Sequence, residues 1–238
     1  MSIYENYGGI IMMVLILVSV LVLGIHYKRK GSKGVPLDDS NNVIERFTRF
    51  ERILHFIRAF TFIILTISGL VFMFIEANKP SGLIHSIIGI IFFIVSIATL
   101  VWFKSYTFKP YDKLWLRHLG GYLSKESASL PAGKYNAGQK VFFWMTILFT
   151  LILTGTGKFL MGNTVNETEP SGMLLLIHGC AAALSIISIV GHIYLSLWAN
   201  KGTWRVLKSG KVSEKWVQSH HPNWEIDKVK SKAPKGHI

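Results

Sequence analysis

Two histidines, His178 and His192, lie fourteen positions apart in LLLIHGCAAALSIISIVGHIYLSLW, a stretch at 174–198 without Asp, Glu, Lys or Arg. Fourteen residues of α-helix turn about 40° short of four whole turns and rise about 21 Å. Both imidazoles therefore project from nearly one face, one toward each side of a hydrocarbon core about 30 Å thick. Ionisable side chains are uncommon in such a segment and indicate a functional site.

This stretch belongs to one of five apolar runs, each long enough to cross a bilayer as a helix. The runs cover about 9–26, 53–76, 83–103, 141–161 and 172–199 of a 238-residue chain that is 50% hydrophobic and 16% charged. A soluble domain of this length would be less apolar. We predict an all-α integral membrane protein, a four-helix transmembrane bundle plus one extra N-terminal transmembrane helix.

The net charge of +13 is distributed as in a membrane protein. Lys and Arg cluster at 28–52, 104–140 and 201–235, whereas the other two loops hold only Lys79 and Lys158. With five spans, the three clusters lie on one side, which the positive-inside rule makes cytoplasmic. We predict a multi-pass protein of the bacterial cytoplasmic (inner) membrane, N-terminus periplasmic and C-terminus cytoplasmic, with lipid and no nucleic acid as partner.

The charge pattern also divides the chain. An N-terminal transmembrane anchor helix covers 1–27, a cytoplasmic linker 28–51, a four-helix domain 52–200, and a basic cytoplasmic tail 201–238. The single cysteine, Cys180, permits no intrachain disulfide and is expected to be a packing residue.

The depth of each histidine in the membrane predicts which histidines of the apolar runs face each other. His55 begins the second span on the inner side, and His85 begins the third span on the outer side. His85 therefore pairs with His178 near the outer surface, and His55 pairs with His192 near the inner surface. Two imidazoles from different helices suggest bis-histidine ligation of haem iron between helices of a bundle.

Zinc binding and proton transfer fit the four histidines less well than haem does. Zinc needs four protein ligands, or three plus water, whereas each level offers two histidines. A proton relay usually also uses Asp or Glu. Four structural histidines in a cofactor-free anchor or transporter are a further alternative. Arg58, one helical turn after His55, can pair with a haem propionate or reach the inner headgroups.

The remaining histidines receive no haem role: His26, His118, His220, His221 and His237. His220 and His221 precede Pro222 in the basic tail. We expect them in a surface loop or a docking contact.

Six segments resemble the cytochrome b (gamma) subunit of membrane-bound formate dehydrogenases. They are RILHFIRAF at 52–60, LIHSIIGI at 83–90, GKYNAGQKVFFW at 133–144, LLIHGCAA at 175–182, HIYLSLW at 192–198 and GKVSEKWVQSHHPNWE at 210–225. KYNAGQK and HHPNW are the most specific of these motifs. The extra first span, 9–26, departs from the family's best-known members and leaves the resembling core intact.

The resemblance implies four spans, two haem b groups and electron transfer to menaquinone. The family's haem ligands match His55, His85, His178 and His192, in the pairs that depth already suggests. The family's quinone pocket, near the inner haem, matches Asn136, Gly138 and Gln139 beside His192. Amide groups in this polar segment can donate hydrogen bonds to a quinone carbonyl, and Asn136 can equally cap the fourth span.

We therefore expect a dihaem b subunit that passes electrons from a periplasmic iron–sulfur partner to menaquinone in a formate dehydrogenase complex. The iron–sulfur beta subunit and the catalytic alpha subunit would be its partners, and formate oxidation would take place outside this chain. The cytochrome b subunit of a nickel–iron hydrogenase, or of another quinone-linked oxidoreductase, is the close alternative.

Overall fold

The computed structural model describes residues 3–32, 43–75, 78–123, 130–200 and 203–225. In chain order its elements are α1 (Ile3–Lys30), β1 (Val43–Glu45), α2 (Arg49–Phe72), α3 (Lys79–Ala98), α4 (Asp112–Arg117), α5 (Ala137–Asn166), α6 (Gly172–Tyr194), α7 (Arg205–Ser209), β2 (Lys211–Ser213) and α8 (Glu214–His220). A 3-10 helix, Thr99–Tyr106, continues α3, another covers Leu119–Gly121, and a π-helical turn, Leu195–Ala199, ends α6. In the described part of the chain, α1, α2, α3, α5 and α6 are long and apolar enough to cross a membrane, which confirms the predicted fold class.

Local capping sets where the spanning helices begin. α2 starts at Arg49, ahead of the apolar run, because Thr48 and Glu51 form a capping box with N–H to side-chain distances of 2.7 and 3.2 Å. α3 starts after Asn78, whose side-chain oxygen accepts an N–H of the first turn at 3.0 Å. α2 ends at Phe72 rather than near residue 76. The predicted bounds of this span are therefore too late at both ends.

The chain forms two compact units, each built from segments that are distant in sequence. The first unit contains the described residues of Met1–Ile25, Ile53–Val101 and Phe143–His192, and the second contains those of His26–Arg52, Trp102–Phe142 and Ile193–Ile238. The second unit therefore gathers the described parts of all three basic segments. Residues 33–42 of the predicted linker and 201–202 and 226–238 of the predicted tail lie outside the described residues.

In the first unit, the extra N-terminal helix packs against α6 and the end of α2. Met12 of α1 is buried against Ala183 and Ile186 of α6. A Cβ on Gly9 would lie 3.1 Å from the Phe74 ring, so glycine permits this close approach. α1 is thus part of the packed unit.

Many large apolar side chains of the first unit are exposed. Leu17, Phe60 and Ile94 are exposed by 63, 66 and 59%. Such a surface would promote aggregation in water. In a bilayer it contacts lipid chains, while each helix satisfies its own backbone hydrogen bonds.

The second unit contains a two-stranded sheet in the segments where the sequence predicts a linker and a tail. β1 and β2 pair antiparallel, with Ile44 opposite Val212. Both side chains are buried together with Trp216 and Val217 of α8. Strands of three residues carry too short a pattern to be recognised in the sequence. The predicted all-α fold class still holds, because this sheet comprises only two strands of three residues each.

Arg46 is the buried centre of the second unit. Its Nη2 donates to the Lys134 carbonyl at 3.2 Å and to His221 Nε2 at 3.1 Å, and its guanidinium lies 4.8 Å from the Trp216 ring centre. Burial lowers the pKa of Arg46 to about 10, so this side chain stays charged at neutral pH.

His221 belongs to the same cluster. Its Nδ1–H donates to the Gly133 carbonyl at 2.6 Å. Burial lowers the pKa of His221 well below its ordinary value, so the imidazole is neutral. Because only 3% of His221 is exposed, the expectation of a surface loop or docking contact is wrong for this residue.

A buried ion pair joins α4 to the first turn of α5. Lys140 Nζ lies 2.6 Å from Asp112 Oδ2, and the side chains are exposed by only 3 and 2%. The same carboxylate oxygen accepts the Lys109 backbone N–H at 2.6 Å. Removing one partner would leave the other charge buried without compensation.

Lys140→Met is therefore expected to destabilise the protein by about 3–5 kcal/mol. Lys79→Met is the matched control, since the Lys79–Glu167 pair is exposed by 48 and 75%. An exposed pair of this kind contributes about 0–1 kcal/mol. Thermal unfolding of both variants in one detergent measures the difference. Equal unfolding temperatures would contradict a structural role of the buried pair.

Candidate haem site

The four histidines singled out by the sequence all belong to the first unit. His55 lies on α2, His85 on α3, and His178 and His192 on α6. Each is partly buried among apolar helices. Three separate helices thus supply imidazoles to one bundle.

His55 and His192 face each other. Their ring centres are 6.4 Å apart, with 47° between the ring planes. A metal ion bound to an imidazole lies about 2 Å from the nitrogen and about 3 Å from the ring centre. Two rings that share one ion are therefore about 6 Å apart, and the observed separation fits a single iron between them.

The donor set of this pair also fits haem better than zinc. His55 Nδ1 is buried without a hydrogen-bond partner among the described residues. Within the described ranges, no three His, Cys, Asp or Glu side chains form a cluster that could hold one metal ion. Haem iron needs only two axial ligands from the protein, whereas structural zinc needs four.

His85 and His178 are each oriented by a hydroxyl group of a neighbouring helix. His85 Nδ1 lies 2.7 Å from Ser68 Oγ of α2, and His178 Nδ1 lies 2.7 Å from Thr156 Oγ1 of α5. The two imidazoles are within electrostatic reach of each other. With Nδ1 engaged, Nε2 is the nitrogen that each ring can offer to a ligand.

Glycines leave room beside these rings. A Cβ on Gly69 would lie 3.8 Å from His85 Cε1, and a Cβ on Gly157 would lie 3.6 Å from His178 Cε1. A Cβ on Gly191, directly before the last of the four histidines, would meet nothing within 4 Å. Small residues of this kind let backbones approach a flat macrocycle or another helix.

Arg58 places a positive charge beside the His55–His192 pair. Its Nη2 donates to Thr146 Oγ1 of α5 at 3.3 Å. The guanidinium is within electrostatic reach of both imidazoles. Its pairing with a haem propionate stays a prediction.

The segment predicted to line a quinone pocket lies in the second unit and begins α5. The Gln139 backbone N–H donates to Asn136 Oδ1 at 2.9 Å, and the Asn136 N–H donates to Gln139 Oε1 at 3.0 Å. This reciprocal pair is a capping box, so the predicted capping role of Asn136 is confirmed. The box occupies the side-chain oxygens, and the described residues supply no acceptor for the two NH2 groups.

Gly138 has a packing role in the same segment. A Cβ at this position would lie 2.5 Å from the Trp115 ring, and a Cβ on Gly120 would lie 2.5 Å from the same ring. Both distances are shorter than real contacts. Trp115 therefore packs against two glycine backbones, one of them in the predicted quinone segment.

Ser68, Thr156 and Trp115 are functional candidates that the sequence motifs do not single out. Ser68 and Thr156 do carry a signal, because each stands directly before a glycine in the helix that precedes a histidine-bearing helix. Trp115 carries none, since one glycine that it contacts, Gly138, is distant in the chain, and the other, Gly120, lies in the 3-10 helix after α4.

Apolar helices long enough to span a membrane, with imidazoles of two helices facing each other, are the arrangement expected of a membrane cytochrome b. Residues 46–209 match the family of prokaryotic cytochrome b561. The chain belongs to this family and is a membrane cytochrome b, which implies haem b as its cofactor.

The chain is similar to named subunits of formate dehydrogenases. It is 30% identical to the formate dehydrogenase cytochrome b556(fdo) subunit of Escherichia coli (strain K12) over 206 residues, covering 80% of this chain and 97% of the relative. It is 28% identical to the nitrate-inducible cytochrome b556(Fdn) subunit of the same strain over 208 residues, covering 81% and 95%. The cytochrome b556 subunit of Haemophilus influenzae is 29% identical over 196 residues, covering 76% and 82%. The resemblance to this group of subunits is confirmed.

Asn136→Ala is expected to lower the free energy of unfolding by about 1 kcal/mol, because it removes the oxygen that caps α5. Asn136→Ser keeps an oxygen at the cap and is expected to unfold like the wild type. Thermal unfolding in detergent compares the two variants. A serine variant as unstable as the alanine variant would show that capping is not what this side chain contributes.

Proposed function

We propose that this chain is the dihaem b membrane subunit of a formate dehydrogenase complex, and that it passes electrons from an iron–sulfur partner to menaquinone. The observation that carries the proposal is the 6.4 Å separation of the His55 and His192 rings, in a chain 30% identical to a formate dehydrogenase cytochrome b556 subunit. Residues 52–200 form the dihaem domain.

Four side chains hold the cofactors in this proposal. His55 and His192 would hold one haem b, and His85 and His178 would hold the other. Haem b supplies one-electron transfer when bound. Helix α6 contributes one ligand to each site, about 21 Å apart along its axis. Arg58 neutralises a propionate at the His55–His192 site.

The orientation follows from the basic segments. The second unit unites the described parts of all three of them, which supports their lying on one side of the membrane. By the positive-inside rule that side is cytoplasmic. The N-terminus is then periplasmic, the C-terminus cytoplasmic, and the His85–His178 site is the outer one.

The quinone is reduced at the inner end. Asn136 and Gln139 present NH2 groups that can donate to a quinone carbonyl. Gly138 contributes by letting Trp115 approach the segment. Menaquinone takes two electrons from the chain and two protons from the cytoplasm.

The partners supply the driving force. A catalytic alpha subunit oxidises formate, and an iron–sulfur beta subunit delivers the electrons to the His85–His178 site. Moving an electron inward against the membrane potential costs about 2.3 kcal/mol per 100 mV. The chain has a single cysteine and so cannot hold a cluster by cysteine ligands itself.

The haem count of the purified protein tests the assignment. We expect two haem b per chain, and one in each of the variants His55→Ala, His85→Ala, His178→Ala and His192→Ala, because each change removes one axial ligand. The measurement is a dithionite-reduced-minus-oxidised spectrum with haem quantitation. A wild-type protein without a b-type α-band would refute the proposal. A His192→Ala variant without haem, beside a His85→Ala variant with two, would refute the pairing.

The quinone segment is tested separately with Asn136→Ser. This variant keeps the helix cap and loses the amide donor, so we expect a higher KM for a water-soluble naphthoquinone at unchanged haem content. Asn78→Ser is the matched control, because Asn78 caps α3 in the same way. Steady-state quinone reduction by the complex measures both. An equal KM in the two variants would argue against Asn136 as a quinone ligand.

A further inference from the structure

One arrangement occurs twice in the first unit, once in each of two helical hairpins. Ser68 of α2 lies against His85 of α3, and Thr156 of α5 lies against His178 of α6, both with 2.7 Å between the hydroxyl oxygen and Nδ1. In each hairpin the residue after the hydroxyl is a glycine whose Cβ would lie within 4 Å of the imidazole Cε1. Because both contacts occur in each hairpin, we infer that the two hydroxyl groups have the same role toward their histidines.

The hydroxyl protons are already committed to the backbone. Ser68 Oγ lies 2.8 Å from the Ile64 carbonyl oxygen, and Thr156 Oγ1 lies 2.7 Å from the Ile152 carbonyl oxygen. A hydroxyl has one proton and two lone pairs. When that proton is donated to the carbonyl, the oxygen can only accept from the imidazole. Nδ1 then carries the ring proton, and Nε2 presents a lone pair.

The other pair of histidines is arranged differently. His55 Nδ1 has no hydrogen-bond partner among the described residues. Arg58 is within electrostatic reach of His55 and His192. Both histidines of the first pair are thus polarised by hydroxyl acceptors, whereas His55 of the second pair is not, and Arg58 adds a positive charge near that second pair.

Both differences make the reduction potential of the His85–His178 haem lower than that of the His55–His192 haem. A hydrogen bond from Nδ1–H to an acceptor makes the other nitrogen a stronger donor to its metal, which favours ferric iron and lowers the potential. A nearby positive charge favours the more negatively charged, reduced state and raises the potential. We therefore expect the two haems to differ in reduction potential, and the haem at the hydroxyl-polarised site to have the lower one.

We propose that Ser68 and Thr156 are positioning residues, which fix His85 and His178 as Nδ1–H tautomers and thereby hold their haem at a lower potential than the haem of His55 and His192. The difference in reduction potential then favours electron transfer from the first site to the second and offsets part of the cost of moving the electron against the membrane potential. The inference rests on the proposed two-haem function and adds to it the residues that set its direction.

The test compares two pairs of matched variants of the full chain, purified with its haem. Ser68→Ala and Thr156→Val remove the polarising hydroxyls, and the valine keeps the shape of threonine. The controls are Ser185→Ala and Thr150→Val, whose hydroxyls are buried and donate to their own helices at 2.8 and 2.7 Å in the same way. The control hydroxyls contact no histidine ring nitrogen in the described structure.

Spectroelectrochemical titration at the α-band, with haem quantitation in every variant, gives the readout. We expect two one-electron components in the wild type. Ser68→Ala and Thr156→Val should each shift the lower midpoint upward, and the double variant should shift it further. The controls should leave both midpoints in place, and Ser68→Thr and Thr156→Ser should titrate like the wild type. In His55→Ala, the single remaining component should have the lower midpoint.

Three outcomes would overturn the inference while a count of two haems still supports the proposed function. The first is that neither midpoint moves when the hydroxyls are removed. The second is that the higher midpoint moves instead. The third is that Thr156→Ser shifts the potential as far as Thr156→Val, which would mean that shape rather than the hydroxyl matters. A wild-type count other than two haems would instead refute the proposed function on which the inference rests.

Discussion

A neutral imidazole inside hydrocarbon must engage its two ring nitrogens without help from water, because an unpaired polar atom there is costly. His85 and His178 meet this requirement at one nitrogen with hydroxyl groups of adjacent helices, which leaves the other nitrogen for a ligand. His55 keeps a buried nitrogen unpaired within the described protein and faces His192 at a separation that suits one iron. The way the helices pair, and the glycines beside the imidazoles, are consistent with the need to give each ring nitrogen a partner.

Outside the apolar helices, buried charge organises the second unit. Arg46 is held by a backbone carbonyl, a neutral histidine and an aromatic ring, and the Asp112–Lys140 pair fixes α4 to the start of α5. These contacts bring segments that are distant in sequence into one core. The capping box of Asn136 and Gln139 begins α5 within that core, so its two amide groups have a defined position.

The fold class could be predicted from the sequence because hydrocarbon imposes a length and a composition on each span. The facing of His55 and His192 followed from their depth alone. The strands β1 and β2 could not be predicted, since each has three residues and its partner is distant in the chain. The burial of His221 was missed because its partner, Arg46, is equally distant. The hydroxyls of Ser68 and Thr156 resemble ordinary polar residues in a span until the hairpins place them against histidines.

The central claim is that four histidines hold two irons, and X-ray diffraction from crystals of the complex at the iron absorption edge tests it most directly. We predict two haem iron positions within this chain. One lies between His55 and His192 and the other between His85 and His178, each bonded to two imidazole nitrogens at about 2 Å. A single iron position in the chain, or an iron bonded to one histidine from each pair, would contradict the claim.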